Sequence, residues 1–215
     1  MILQSKKNSK SKLKKNYHHD DLKSSLITEA LSFLKKNSID ELSLRELARR
    51  LDVSHMAPYR HFKTKEDLFA EIIERGFNSL TESFEKAKAQ TQPDFLSNFA
   101  ALGKAYIQFF IQNPEQARLM FSGLLCDPKN YLSAHEAGQK AFGKLLELII
   151  WGQESGKINK SDNPYMLSLM VWSSVHGSAM LMLENQFSMI DNSPEIQLEK
   201  YVEFMAQKLI SGLNS

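Results

Sequence analysis

The sequence predicts an all-α fold, and three observations support this prediction. Leu occurs 28 times, whereas Val and Thr together occur only 8 times, and β-rich folds depend on β-branched residues. Apolar residues recur at positions i, i+3 and i+4 along most of the chain, which is the spacing of amphipathic helices rather than of strands. The composition, 42% hydrophobic and 24% charged, is typical of a globular protein and not of a disordered one.

Nine helices are predicted from the apolar spacing. Their approximate ranges are residues 20–36, 43–50, 54–61, 64–88, 93–112, 114–125, 131–155, 164–187 and 194–212. The fourth helix is too long for a compact three-helix head, so we expect it to link that head to a larger body. The chain would then comprise a tail (1–16), a three-helix head (17–66) and a helical body (67–215).

Cap residues support several of these helix boundaries. Ser43 and Glu46 have the spacing of a capping box, and Thr64 and Asp67 form a weaker version of it. Two further pairs place a capping side chain before a proline, which suits the first position of a helix: Asn163-Pro164 and Ser193-Pro194.

Charge is distributed unevenly along the 215 residues, although the net charge is only +2. Residues 1–66 carry 15 Lys and Arg against 8 Asp and Glu, a net +7, whereas residues 67–215 carry a net −5. The tail 1–16 contains six lysines and no acid, so we expect it to be disordered when free. It either binds phosphates or only increases solubility. The basic head indicates that this part of the chain contacts a polyanion.

Residues 42–62 read LSLRELARRLDVSHMAPYRHF and have the pattern of a helix-turn-helix. Apolar residues lie where such a unit needs internal packing, at Leu44, Leu47, Ala48, Leu51 and Val53. The second helix of the pair is polar and aromatic, with too few aliphatic residues for a core helix. It is therefore either a solvated connector or a reader of the DNA major groove, and the surrounding charge of +7 favours the reader.

At this point a family resemblance can be stated. Residues 17–69 resemble the DNA-binding domain of the TetR family of transcriptional regulators, through the order of the elements and the Tyr-x-x-Phe-Lys-x-Lys-x-x-Leu pattern that runs from Tyr59 to Leu68. The body resembles one subgroup through NPEQARLMF (113–121) and WSSVHGSAML (172–181). The second stretch is similar to a C-terminal domain named for Trp, His and Gly, here Trp172, His176 and Gly177.

Two departures from the family pattern affect the helix-turn-helix. Asp52 occupies the turn position that is most often glycine, and aspartate tolerates a left-handed backbone better than most residues. Pro58 falls in the first turn of the third helix, where its missing N–H has the smallest cost. Both leave the direction of the third helix open.

The resemblance implies a set of DNA contacts. Ser43 would cap the second helix and bring its N-terminus to a phosphate. Arg45 would reach a phosphate or the minor groove, and Arg60 either a phosphate or a base. The remaining candidates are Ser54, His55 and Met56 for base edges, and Tyr59, His61 and Lys65 for phosphates. Phe62 is expected in the core.

The resemblance also implies a homodimer on a pseudo-palindromic operator, with the two reading helices about 34–36 Å apart. The helices near 164–187 and 194–212 are the expected dimer surface. The last helix carries an apolar stripe, which either forms that surface or packs on its own body: Ile196, Val202, Met205, Leu209 and Leu213.

Aromatic residues and methionines are frequent in the body. They are ordinary core residues or, as the family implies, partly the lining of a pocket for a small apolar ligand. The candidate pocket residues are Tyr106, Phe109, Phe110, Met120, Phe121, Trp151, Met170, Trp172, His176 and Met180. His176 is either a hydrogen-bonded core histidine or the polar anchor of that pocket. Filling the pocket would release a repressor from its operator.

Two other patterns are interpreted as structural. Residues 165–183 contain no charge but include several serines and a histidine, so we expect a helix buried on most of its circumference and not a membrane span. The run His18, His19, Asp20 and Asp21 is too contiguous to converge on one ion and reads as a helix start. We therefore predict neither a metal site nor a cofactor.

Alternative functions remain open. No Ser/His/Asp, Cys/His or paired-carboxylate arrangement stands out, so a helical enzyme is disfavoured. A single cysteine, Cys126, excludes an internal disulfide, and the first residues contain no apolar leader, which together favour the cytoplasm. A family member that acts without a ligand, or a protein that binds DNA without sequence preference, is the main alternative.

Overall fold

The computed structural model describes residues 19–124, 131–186 and 198–213. Within these ranges it contains eight α-helices, a single 3₁₀ helix and no strand, as the all-α prediction requires. The helices are α1 (His19–Leu34), α2 (Leu44–Arg50), the 3₁₀ helix (Pro58–Arg60), α3 (Lys65–Ala89), α4 (Phe95–Gln112), α5 (Pro114–Met120), α6 (Leu132–Glu154), α7 (Pro164–Leu183) and α8 (Leu198–Leu213). The predicted tail 1–16 and the Ser193-Pro194 helix start lie outside the described residues.

The chain divides into two compact units, with the division between His61 and Phe62. The division comes earlier in the sequence than the boundary predicted near residue 66, and all of α3 therefore belongs to the second unit. α3 packs on α4, α5 and α6, and its buried residues include Leu68, Ile72 and Leu80. The helix that we expected to link the two parts therefore begins inside the second one.

The first unit packs α1 on α2 and on the segment around the 3₁₀ helix. Leu26, Leu47 and Ala48 are fully buried there. Arg50 in α2 forms an ion pair with Glu29 in α1. These contacts hold α1 against α2, the first helix of the predicted helix-turn-helix.

The second unit is built around α3 and α4, which pack on each other and on α6 and α7 respectively. α8 lies along α4, where a Cβ added at Gly103 would be 3.7 Å from Val202. Val202 and Leu213 are both 2% exposed, so this part of the predicted stripe of the last helix packs on its own body. Ile196 of the same stripe lies outside the described residues.

Two helices end earlier than predicted. α5 stops at Met120 rather than near 125, and Gly123 follows with a φ of 72°. α7 stops at Leu183 rather than near 187, because Asn185 takes a left-handed conformation with a φ of 53°. Its amide donates to Met182, and the next amide donates to Leu181, which closes the helix end in a Schellman motif.

The helix α7 is less buried than predicted. By length and composition it is the one helix among the described residues that could cross a membrane. Only 28% of its most apolar stretch is buried in the single chain, so the prediction of burial on most of its circumference is wrong. Ser168 and Ser178 are buried because their hydroxyls donate to carbonyls four residues earlier, whereas Met166 and Met170 face outward.

Candidate functional site

The turn of the helix-turn-helix closes with a left-handed residue at Asp52, whose φ is 53°. Its amide donates to Arg49 O at 3.3 Å, and the amide of Val53 donates to Ala48 O at 3.0 Å. These two bonds form a Schellman motif, in which glycine is the usual left-handed residue. Asp52 therefore adopts the conformation predicted for it, and the turn directs the chain away from α2 at a fixed angle.

The segment after this turn is not the α-helix predicted for residues 54–61. It consists of turns followed by the 3₁₀ helix Pro58–Arg60. Proline has no amide hydrogen, so Pro58 cannot donate to Ser54 O. That oxygen instead accepts the amide of Ala57 at 2.9 Å, and His61 donates to Pro58 O at 2.9 Å. Bonds of the i to i+3 type thus replace those of an α-helix.

The segment presents most of the predicted reading residues to solvent. Ser54, His55, Met56, Tyr59 and Arg60 are all exposed, and Met56 has an exposed fraction of 69%. A methionine this exposed has no role in packing the unit. The side chain of His61, predicted to contact a phosphate, is half-buried and is the least accessible of this group.

The predicted contacts at the start of α2 are also on the surface. Ser43 caps the helix, with its hydroxyl oxygen accepting the amide of Glu46 at 3.2 Å. The capping box is only half formed, because the carboxylate of Glu46 binds Arg49 at 2.7 and 2.8 Å instead of returning to the cap. Hydrogen bonding to Arg49 lowers the pKa of Glu46. Arg45 is exposed.

Lys65 belongs to the second unit, at the first position of α3, and its side chain is half-buried. The cap before it is stronger than predicted. Thr64 accepts the amide of Asp67 at 3.2 Å, and the Asp67 carboxylate accepts the amides of Thr64 and Lys63, each at 3.0 Å. The backbone that carries Lys65 is therefore held by a complete capping box.

A cavity of about 670 Å³ lies inside the second unit, and its wall has residues from all six helices of that unit, α3 to α8. This volume is within the range of small-molecule sites, about 300–1,000 Å³. Tyr106, Met120, Phe121 and Trp172, four of the ten predicted pocket residues, line it.

The other six predicted pocket residues lie outside this wall. Phe109 and Phe110 are buried in the helix packing, and Trp151 and Met170 are exposed by 37% and 46%. His176 and Met180 are half-buried but are not lining residues. Residue type alone predicted these positions, whereas membership of the wall depends on which side of each helix faces the void.

The wall includes residues of α6 that are not among the predicted pocket residues. Gly138, Phe142 and Gly143 line the cavity, and a Cβ added at Gly143 would meet no atom within 4 Å. Glycine inside a helix lowers its stability, so two glycines five residues apart in a helical pattern could have indicated a packing or functional requirement.

A chain of hydrogen bonds lies at one side of the cavity. Trp172 Nε1 donates to the hydroxyl oxygen of Tyr106 at 3.1 Å, and that oxygen lies 2.8 Å from Nδ1 of His176. Burial raises the pKa of Tyr106, and burial lowers the pKa of His176. The tyrosine is therefore protonated and the histidine neutral near pH 7. His176 is thus a half-buried residue whose ring nitrogen is hydrogen-bonded to the hydroxyl of a lining residue.

Most other lining residues are apolar, and the remaining polar ones are His135, Gln139 and Tyr165. No Asp, Glu, Lys or Arg appears among the described lining residues. In the part of the chain that the structure covers, no group of three His, Cys, Asp or Glu side chains could hold a metal ion. The arrangement can enclose a small molecule and offers no charged group to it.

Two family models match the chain. The model described as bacterial regulatory proteins, tetR family, matches residues 26–72. The model described as tetracyclin repressor-like, C-terminal domain, matches residues 99–205. The Trp-His-Gly subgroup is tested by neither match and stays a prediction. No curated protein matches the chain.

Solved structures resemble the chain over nearly its whole length. A protein of unknown function from Rhodococcus sp. RHA1 is 30% identical, with a TM-score of 0.79 over 94% of this chain and 100% of that one. A regulatory protein in the tetR family from Rhodococcus RHA1 is 21% identical, with a TM-score of 0.69 over 87% and 96%. The fatty acid degradation regulator FadR from Bacillus halodurans is 15% identical, with a TM-score of 0.70 over 89% and 95%.

Proposed function

The chain belongs to the TetR family of bacterial transcriptional regulators, and we propose that it is a repressor that a small apolar ligand releases from a pseudo-palindromic operator. The observation that carries the DNA-binding part is the segment from Ser54 to Arg60, which follows the helix-turn-helix turn, is anchored by the buried Pro58 and exposes its polar and aromatic side chains. The proposal involves no catalytic step and places the protein in the cytoplasm with the DNA.

The exposed residues divide into two kinds of contact. Ser54, His55 and Met56 come first after the turn and read base edges, with Met56 suited to a thymine methyl group. Tyr59 and Lys65 donate hydrogen bonds to phosphates. The side chains of Arg45 and Arg60 and the hydroxyl of Ser43 are further phosphate contacts. The half-buried His61 is a phosphate ligand only through the part of its ring that solvent reaches.

Dimerisation through α7 and α8 is supported by what these helices expose. Met166, Met170 and Leu181 follow one side of α7, and Phe204 on α8 is 58% exposed. Large apolar residues in a row on a single chain are typical of a surface that another protein covers. The buried stripe of Val202 and Leu213 is already used within the chain, so the dimer surface of α8 is the side that carries Phe204.

The cavity supports regulation by a ligand. A ligand releases the operator only if it binds more tightly to the conformation that has low DNA affinity, and a ligand with equal affinity for both conformations shifts nothing. The same linkage requires that operator DNA weakens ligand binding by the same factor.

Selection of bound DNA from a random pool tests the proposal first. We expect a pseudo-palindrome with half-sites about one helical turn apart. Enrichment of no sequence would indicate a nonspecific DNA-binding protein instead. A pool that gives a single unpaired half-site would contradict the homodimer.

Substitutions then test the roles of the side chains. Tyr59→Phe and Lys65→Ala should weaken binding to all sequences, and Lys65→Ala should lower the salt slope by about 1. His55→Ala should alter base preference at one position. Lys160→Ala, an exposed lysine in a loop of the second unit, is the matched control. An unchanged affinity and salt slope for Lys65→Ala would remove it from the interface.

A further inference from the structure

The chemistry of the cavity wall restricts the ligand beyond its size. The described lining residues include no ionisable acid and no Lys or Arg. Two lysines that adjoin lining residues in the chain are engaged outside the wall. Lys104 Nζ lies 2.5 Å from Glu199, and Lys144 Nζ lies 2.6 Å from Glu85. Apart from the imidazole of His135, the described lining residues therefore offer no side chain that could carry a counter-charge to an ionised ligand group.

The wall does contain one polar feature that is held in place from behind. Tyr106 and Trp172 both line the cavity, whereas His176, which binds the tyrosine hydroxyl, does not. This arrangement fixes the orientation of a neutral hydroxyl at an apolar surface. Tyr106 is also stacked on Phe110, with ring centroids 4.8 Å apart, which fixes the ring itself.

The Tyr106 hydroxyl can serve a ligand in either direction. When His176 carries its proton on Nε2, the hydroxyl donates to Nδ1 and keeps a lone pair for a ligand hydroxyl. When the proton is on Nδ1, the histidine donates to the tyrosine oxygen, and the tyrosine hydrogen can turn to a ligand carbonyl. Both tautomers of the histidine are uncharged, so neither brings a charge to the cavity.

We propose that the ligand is an uncharged, largely apolar molecule with one hydroxyl or carbonyl group, which binds the Tyr106 hydroxyl that Trp172 and His176 hold in place. This inference rests on the proposed function and names the chemical class that the regulatory site selects. An ionised carboxylate or ammonium group of the same size is rejected, because burying it without a partner outweighs the gain from the apolar part of the molecule.

Three probes that share a butylphenyl group test the proposal: butylbenzene, 4-butylphenol and 4-butylbenzoate, at pH 7.5. The background is the full-length chain with Trp151→Phe, which leaves Trp172 in the wall as the single tryptophan. We expect 4-butylphenol to bind and to shift the Trp172 emission, and 4-butylbenzoate to bind at least about 100-fold more weakly. Affinities come from isothermal titration calorimetry.

The role of the hydroxyl has its own matched variants. Tyr106→Phe should weaken 4-butylphenol about 3- to 10-fold and leave butylbenzene unchanged, because only the phenol loses a hydrogen bond. Tyr201→Phe removes another part-buried hydroxyl, one that binds Ser178 at 2.7 Å outside the wall, and should change neither affinity. An equal loss for both probes in Tyr106→Phe would show a packing role and overturn the proposed hydrogen bond.

Operator release, measured in parallel, separates this inference from the proposed function. If 4-butylbenzoate binds as tightly as the phenol, the uncharged class is wrong, and the proposed function stands if the probe still releases DNA. If the phenol binds selectively and releases nothing, the ligand class stands and release by cavity binding falls. If none of the three probes binds, the proposed ligand class is overturned, whereas operator binding is judged by the DNA selection alone.

Discussion

The Tyr106 hydroxyl lies 2.8 Å from Nδ1 of His176, and this contact joins α4 to α7 across 70 residues of sequence. The same oxygen accepts Trp172 Nε1 at 3.1 Å. Trp172 and His176, two residues of the Trp-His-Gly sequence, therefore both form hydrogen bonds with the Tyr106 hydroxyl. Their spacing of four residues on α7 places them on the same side of the helix, which makes this convergence possible.

The first prediction concerns the pH dependence of stability. Burial lowers the pKa of His176 below its usual value of 6.5, so the unfolded chain binds a proton at a higher pH than the folded chain does. Stability from this residue is thus fully present above about pH 6.5 and is lost as the pH falls toward the folded pKa. The His176→Asn variant keeps an acceptor for the Tyr106 hydroxyl, and its amide does not bind a proton in this pH range.

Urea denaturation at pH 7.5 and 5.5 measures this effect. The loss of stability between the two values should be smaller in His176→Asn than in the unmodified protein. His55→Asn, at an exposed position, is the control and should follow the unmodified protein. Identical losses in all three proteins would show that His176 does not contribute.

The second prediction compares the two caps. Asp67→Ala removes the acceptor of two amides at the start of α3 and should lower the free energy of unfolding by about 1–2 kcal/mol. Glu46→Ala removes only a surface ion pair with Arg49 and should have a much smaller effect. Thermal denaturation followed by circular dichroism measures both. A larger loss for Glu46→Ala would contradict this reading of the caps.

The third prediction fills the cavity from α6. A leucine at Gly143 extends into space where no atom lies within 4 Å of the new Cβ, so Gly143→Leu should fold and bind the operator. It should also lose binding of 4-butylphenol. Gly212→Leu is the control, since its Cβ also meets nothing within 4 Å but Gly212 does not line the cavity. Unchanged probe affinity in Gly143→Leu would place the ligand elsewhere.

The fourth prediction concerns the turn before the reading segment. Asp52 has a φ of 53°, a region in which glycine has no steric penalty. Asp52→Gly should therefore raise the free energy of unfolding by about 0.5–1 kcal/mol, while Asp52→Val should lower it, because a β-branched residue is strained there. Chemical denaturation of the two variants gives the comparison. A stabilised Asp52→Val variant would contradict it.

The sequence was sufficient for the features that depend on local chemistry. Helix spacing, the cap at Asn163 and the left-handed Asp52 each follow from a few neighbouring residues, and the structure has all of them. The 3₁₀ segment could not be predicted in this way, because proline is usually tolerated in the first turn of an α-helix. In the structure Pro58 removes the amide that an α-helix from Ser54 would need.

Features that depend on competition or on packing could not be predicted in the same way. The Glu46 carboxylate could accept either the backbone amide of the cap residue Ser43 or the guanidinium of Arg49, and in the structure it binds Arg49. Tyr106 and Phe110 lie one turn apart on α4 and stack on each other, yet Tyr106 lines the cavity and Phe110 does not. Such a difference arises from the placement of α3, α6 and α7 around α4, which no single stretch of sequence contains.

The uncharged wall of the cavity also bears on what the protein would sense in a living cell. A molecule that is neutral and apolar enough to enter it dissolves readily in lipid bilayers, which hold far more of such a compound than the surrounding water does. Membranes and the protein therefore compete for the same molecule. Gene expression would respond to the concentration of the ligand that stays in water after partition into the bilayers. The lipid content of the cell would therefore help to set the total amount of ligand needed for a response.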